Sequence, residues 1–281
     1  MYGRRVLPSC CWHYASLRLP YFTRRDNPGY QVNSGGNILL DRFRYEVKLM
    51  GKRVILTPIL VMVGFALLAE LLNYLHTNPA RMLSASLEMI LPLAAGIVVA
   101  TITSQDSAIE LQLTMPQKYS LTALSRLTII TIWTLCIALL SSICIFVLKL
   151  AYVPQPLPSL SAPLQFLVGQ LTWLAPLLWL VGIGLCLALV LRSRPAGVAL
   201  LSGIWIAEII FNDYIAANAW LHPVLLFPTS LLPLVGPVPQ AIFNLWLTTR
   251  FEVIGVAIVF ILLGWLLLRN PEALLKTSSE E

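Results

Sequence analysis

The segment that follows the second long apolar run has residue types suited to docking on a soluble partner. Asp106 and Glu110 stand four residues apart, as do Ile109 and Leu113, so a helix here has an acidic face and an apolar face. The carboxylates fall towards its amino end, where the helix dipole favours negative charge. Pro116 ends the helix because proline cannot continue the hydrogen-bond ladder. The pattern predicts either a short, rigid docking helix or a solvated helical hairpin.

Glu70, Glu88 and Glu208 lie within apolar runs, where a charge is costly to bury. Glu70 and Glu88 fall near the outer ends of the first two runs, and we expect interfacial water to solvate them, with a functional role as the alternative. Glu208 lies deeper, and Trp205 and Asn212 share its face at helical spacing. This face predicts either a buried, hydrogen-bonded structural acid or a pathway lined by Glu208 and Asn212.

The sequence lacks the motifs of several common enzyme classes. Neither the phosphate-binding loop Gly-x-x-x-x-Gly-Lys-Ser/Thr nor His-Glu-x-x-His nor Gly-x-Ser-x-Gly occurs. Cys10-Cys11-x-His13 has part of a metal-site spacing but no second ligand pair follows, so no metal site is predicted. We therefore expect no catalytic residues and no nucleotide site in this chain.

The composition is that of a membrane protein. The 281 residues are 58% hydrophobic and 11% charged, whereas soluble domains have about 25% charged residues. The apolar residues form runs of about 20, long enough to cross a hydrocarbon core of about 30 Å as a helix. We predict an all-α integral membrane protein with six transmembrane helices, at about 54–75, 84–103, 127–150, 164–191, 196–212 and 251–268.

Basic residues predict the orientation of these helices. Ten of the nineteen Lys and Arg residues lie in residues 1–53. With that end inside, the cytoplasmic face gains six more, which are Lys118, Arg126, Arg192, Arg194, Arg269 and Lys276. The outer face keeps Arg81, Lys149 and Arg250. This asymmetry places both termini in the cytoplasm and the chain in the cell (plasma) membrane. It also explains the net charge of +6 without nucleic acid.

The residues before the first transmembrane helix divide into two parts. Residues 1–36 are basic and rich in proline and glycine; we expect a flexible cytoplasmic extension, with a targeting presequence or an early start codon as alternatives.

Residues 37–53 predict an interfacial amphipathic helix. Phe43 and Val47 lie on its apolar face, and Arg44 and Lys48 lie among the charged residues that would meet anionic lipid.

The outer segment 213–245 is unusual because it is apolar yet rich in proline. Its prolines, which rule out one continuous helix, are Pro223, Pro228, Pro233, Pro237 and Pro239. We predict a re-entrant hairpin before the last transmembrane helix. The alternative is a seventh, kinked span, which would place the cytoplasmic tail 271–281 outside, against the charge asymmetry.

These features together resemble the permeases of the ABC-type-2 exporter family. That family has an acidic-x-x-small-x-Glu-Leu-hydrophobic-x-x-Pro pattern after its second span, and this chain reads Asp106-Ser-Ala-Ile-Glu110-Leu111-Gln-Leu113-Thr-Met-Pro116. The glycine usual just before the Glu-containing turn is missing. The interfacial helix, the six spans and the apolar outer segment extend the resemblance to about residues 38–270.

The resemblance implies a role for the connection 104–126. Its helix would be the coupling helix that sits in a groove of a separate P-loop ATPase subunit, through Asp106, Ile109, Glu110, Leu113 and Pro116. The chain itself would bind no cofactor, since ATP and Mg belong to the ATPase. A second copy or a related permease would complete an exporter of unknown substrate among the membrane lipids. The alternatives are a membrane-embedded lipid-modifying enzyme and a membrane anchor for a soluble complex.

Overall fold

The computed structural model describes residues 46–47, 50–76, 80–104, 119–148, 161–191, 193–231 and 240–269. All of them belong to the compact unit Arg42–Glu281. Within these residues every regular element is helical. The α-helices are α1 Lys52–Tyr74, α2 Ala80–Ala85, α3 Leu91–Ser104, α4 Tyr119–Val147, α5 Ala162–Leu191, α6 Arg194–Ile210, α7 Asn212–Ala217 and α8 Gln240–Leu268. A π-helical turn, Ser86–Ile90, joins α2 to α3, and two 3₁₀ turns, Ala219–Val224 and Pro228–Leu231, follow α7.

Five helices in the described part of the chain are long and apolar enough to cross a membrane. They are Val54–Tyr74, Met82–Thr103, Leu121–Val147, Pro163–Leu191 and Gln240–Leu268. The helix in the position of the predicted fifth span, α6, is apolar but has only 17 residues. The prediction of a helical, multi-pass membrane protein is therefore confirmed, whereas the count of six spans stays a prediction.

Two of these helices form the centre of the bundle. In each membrane helix we compare the burial of an apolar stretch of 18 residues. The protein buries 56% of this stretch in Met82–Thr103 and 61% of it in Pro163–Leu191. The corresponding values for α1, α4 and α8 are 17%, 17% and 22%. Since α3 and α5 are covered by protein, the other three present most of their apolar side chains to their surroundings.

Glycines allow α3 and α5 to approach closely. A Cβ atom added at Gly96 would lie 2.8 Å from the carbonyl oxygen of Leu180, and one added at Gly184 would lie 2.8 Å from the carbonyl oxygen of Gly96. These neighbours are backbone atoms, which cannot rotate away as a side chain can. Small residues at such crossings let membrane helices pack through their backbones.

The chain between α6 and α8 is broken into short pieces. Helix α6 ends at Ile210, and α7 and the two 3₁₀ turns follow within 21 residues. Between those turns Leu225, Leu226 and Phe227 are fully buried. The described part of the segment before α8 is therefore not one continuous helix and packs into the protein. Residues 232–239 lie outside the described residues, so the re-entrant course stays a prediction.

Replacing Gly96 with alanine should destabilise the bundle. The added methyl group meets the Leu180 carbonyl oxygen, and overpacking of this kind costs about 1–3 kcal/mol. Thermal unfolding in detergent should show a lower midpoint for Gly96→Ala. Gly203→Ala is the matched control, because nothing lies within 4 Å of a Cβ atom there. Equal midpoints for the two variants would contradict the close crossing of α3 and α5.

Candidate functional site

A cluster of buried polar side chains joins the π-helical turn, α6, α8 and the segment 225–229. Its centre is an ion pair between Arg250 of α8 and Glu88 of the π-helical turn, formed through Arg250 Nη2 and Glu88 Oε1. The two side chains are 0% and 3% exposed. A charge in such surroundings requires a partner, because desolvation of an isolated ion costs several kcal/mol.

Arg250 also holds the segment that precedes α8. Its Nη1 donates to the carbonyl oxygen of Leu226 at 2.7 Å, and its Nη2 donates to Thr229 Oγ1 at 3.0 Å. Trp246, one turn earlier in α8, donates from Nε1 to the same hydroxyl at 3.2 Å. The guanidinium carbon lies 5.6 Å from the centre of the Trp246 ring, within the range of a cation–π contact.

Glu208 of α6 and Asn212 of α7 also bind the segment 225–229. Glu208 Oε1 accepts a hydrogen bond from the backbone N–H of Leu226 at 2.7 Å. Asn212 Nδ2 donates to the carbonyl oxygen of Phe227 at 3.3 Å. Both side chains are buried.

These hydrogen bonds replace those of a helix. Leu225–Phe227 is non-helical, and non-helical backbone is tolerated at membrane depth only where protein groups satisfy its N–H and C=O groups. At Leu226 the N–H binds Glu208 and the C=O binds Arg250. The acid and the arginine therefore allow an irregular backbone to be buried among apolar helices.

The face predicted from the spacing of Trp205, Glu208 and Asn212 points into the protein. Trp205 Nε1 donates to the carbonyl oxygen of Met89, in the π-helical turn, at 3.1 Å. All three side chains thus bind backbone groups of neighbouring segments. These contacts favour the structural role for Glu208, and the pathway role of Glu208 and Asn212 stays a prediction.

The expectation that interfacial water solvates Glu88 was wrong. Glu88 is buried and pairs with Arg250, which the charge count had placed among the basic residues of the outer face. The pairing was missed because 162 positions separate the two residues, and neither hydropathy nor charge counting relates distant side chains.

A second buried ion pair joins α4 to a residue that precedes α1. Arg126 Nε of α4 donates to Glu46 Oε2 at 3.0 Å, and the two side chains are 10% and 8% exposed. Glu46 belongs to the segment 37–53, for which an interfacial helix is predicted. The contact joins that part of the chain to the first turns of α4.

The two ion pairs lie at opposite ends of α3. Arg126 lines a small cavity with Val99 and Thr103, near the carboxyl end of α3. Glu88 precedes α3, and the fifteen residue-to-residue steps from Glu88 to Thr103 correspond to about 22 Å along a helix. One polar cluster therefore marks each end of the central helix.

All five residues of the predicted docking site and most of those named in the interfacial helix lie outside the described residues. This applies to Asp106, Ile109, Glu110, Leu113 and Pro116, and to Phe43, Arg44 and Lys48 of the interfacial helix. Val47 is described and helical, and it lines an apolar groove against α1 and α4.

Comparison of the chain with protein-family models, with curated proteins and with solved structures found no match. Its function is therefore inferred from its own residues.

A double-mutant cycle should show strong coupling between Glu88 and Arg250. Arg250→Met leaves a buried, unpaired carboxylate, and breaking a buried pair in this way costs about 3–5 kcal/mol. Glu88→Leu should cost far less in the Arg250→Met background than in the wild type, as read from unfolding in detergent. Glu252→Gln, at an exposed site on the same helix, is the control. Additive costs would contradict the pairing.

Two substitutions of Glu208 should differ in stability. Glu208→Gln keeps an oxygen that accepts from the Leu226 N–H and should remain close to wild type. Glu208→Leu leaves that N–H buried without a partner, at a cost of about 1–3 kcal/mol. Thermal unfolding checks both, with Glu70→Leu as an exposed control. If Gln were as damaging as Leu, the hydrogen bond would not explain this residue.

Proposed function

We propose that the chain is the transmembrane permease subunit of an ATP-driven ABC-type-2 exporter. The observation that carries the proposal is the acidic, apolar and proline pattern of Asp106–Pro116, in the connection between two membrane helices. Helix α3 ends at Ser104 and α4 begins at Tyr119, so the pattern lies in the stretch of sequence that connects them. A separate P-loop ATPase would bind ATP and Mg and receive this connection in a groove.

The ion pair between Glu46 and Arg126 supports the proposal because it links α4, which follows the connection 104–126, to the residues that precede α1. Arg126 stands seven residues beyond Tyr119, in the first turns of α4. Through Glu46 it holds the residues that precede α1. A push on the connection would therefore act on α4 and on the start of α1 together.

The other end of the bundle suits a closed outer face. The Arg250–Glu88 pair and its hydrogen bonds hold the segment 225–229 against α8 and the π-helical turn. Two copies of the chain, or one copy with a related permease, would form the substrate path between them. Both termini would lie in the cytoplasm and the complex in the cell membrane.

The buried acids favour this role over a membrane-embedded enzyme. Glu88 is paired with Arg250, and Glu208 accepts from a backbone N–H. A general acid or base needs access to a substrate, and both carboxylates instead serve the packing of neighbouring segments.

Purification of the full chain from its native host in mild detergent should recover a stoichiometric P-loop ATPase, identified by mass spectrometry. A folded, homogeneous preparation without any ATPase would contradict the proposal.

Substitutions in the connection should then separate binding from energy transfer. Glu110→Ala and Ile109→Asp should uncouple ATP hydrolysis from transport without unfolding the membrane helices. Ile109→Asp should be the harsher change, since it places an unpaired charge in the docking groove. Gln117→Ala, just beyond Pro116, is the control. Normal coupling in both variants would show that this segment is not the coupling helix.

A further inference from the structure

An apolar groove lies between the beginning of α1 and the middle of α4. Its volume is about 290 Å³, and the residues that form it include Met50, Val54, Ile55, Ile132, Trp133 and Cys136. The only strongly polar atom among these side chains, Trp133 Nε1, donates to the carbonyl oxygen of Ile55 at 3.0 Å. The groove therefore offers contacts suited to hydrocarbon and has no side-chain partners for ordered water.

Two contacts hold the walls of the groove together. The Trp133–Ile55 hydrogen bond joins α4 to α1 directly. The Glu46–Arg126 ion pair joins α4 to the residue next to Val47, which also lines the groove. A groove whose walls are linked at two places is prepared for an occupant, so ordering it costs little on binding.

The groove lies between two helices whose apolar side chains mostly face away from the rest of the protein. In both α1 and α4, the protein buries only 17% of the apolar 18-residue stretch. Ile132, one of its wall residues, is 54% exposed, and Leu56 and Leu60 on α1 are 45% and 65% exposed. A chain entering from the membrane meets no barrier of polar side chains there.

Basic residues alternate along the sequence with three residues that line the groove. Lys48, Lys52 and Arg53 stand among Val47, Met50 and Val54, and the Lys52 side chain is exposed at the first position of α1. Basic side chains at a membrane surface attract anionic lipid headgroups. Apolar walls beside positive charge match a lipid with a hydrocarbon tail and a negative head.

We propose that this groove binds one acyl chain of an anionic phospholipid, whose headgroup lies beside Lys52. The groove binds this lipid in preference to the other lipids that surround the protein. This proposal does not depend on the proposed transport function. The other occupants that the geometry allows, a second copy of the chain or unselected lipid, are outcomes of the test.

The test uses the full chain in phosphatidylcholine nanodiscs with a small fraction of phosphatidylglycerol that carries a photoreactive diazirine on its acyl chain. After irradiation, mass spectrometry locates the labelled residues. Labelling should concentrate several-fold on residues 47–55 and 129–136 relative to the exposed face of α8. Unlabelled phosphatidylglycerol should compete it away, and the same diazirine on phosphatidylcholine should label this region several-fold less.

Two matched substitutions on α4 locate the site. Ile132→Trp fills the groove and should reduce labelling several-fold. Ile143→Trp lies on the same helix at a site 39% exposed and outside the groove, and it should leave labelling unchanged. Lys52→Gln should reduce phosphatidylglycerol labelling to the level of phosphatidylcholine. If Ile132→Trp aggregates, competition on the wild-type chain decides the matter.

Three results would overturn the proposal. Even labelling of α1, α4 and α8 would show an unselected lipid shell, and equal labelling by the two headgroups would remove the anionic preference. Disulfides between Cys136 residues of two chains under mild oxidation, without lipid labelling, would show that a second copy covers the groove.

Discussion

The guanidinium of Arg250, enclosed in an apolar helix bundle, can be stable only if other groups neutralise and hydrogen-bond it. Glu88, Thr229 and the carbonyl oxygen of Leu226 do so. The same contacts, with the hydrogen bond from Leu226 N–H to Glu208, satisfy backbone that has left helical geometry. The arrangement of this end of the protein, including the turns after α7, follows from that requirement.

Different interactions stabilise the centre of the bundle and its other end. The crossing of α3 and α5 depends on Gly96 and Gly184, whose missing side chains bring two backbones into contact. Beyond the carboxyl end of α3, Glu46 and Arg126 join the start of α1 with the beginning of α4. In the proposed exporter, the central helices and the ion pair near each end of α3 would pass a displacement of the connection 104–126 to the rest of the bundle.

Hydropathy was enough to predict the helical membrane class, because uncharged apolar runs of about 20 residues are typical of membrane-spanning helices. It could not predict that Glu88 meets Arg250, since pairing across the bundle depends on tertiary packing. Nor did it predict the π-helical turn Ser86–Ile90, whose residues contact Arg250 through Glu88 and Trp205 through the Met89 carbonyl oxygen. The helical face of Trp205, Glu208 and Asn212 was visible in the spacing, but its partners were not. The docking residues from Asp106 to Pro116 rest on the sequence pattern alone.

In the proposed topology, the connection between α3 and α4 and the segment after α7 lie on opposite sides of the membrane. The most direct test labels single cysteines in a chain whose native cysteines are replaced. Gln112→Cys lies in the connection between α3 and α4, and Ala219→Cys lies at an exposed position after α7. A membrane-impermeant maleimide should label Ala219→Cys in intact cells and Gln112→Cys only after permeabilisation. Labelling of both from the same side of the membrane would contradict a protein with a partner-docking end and a closed outer end.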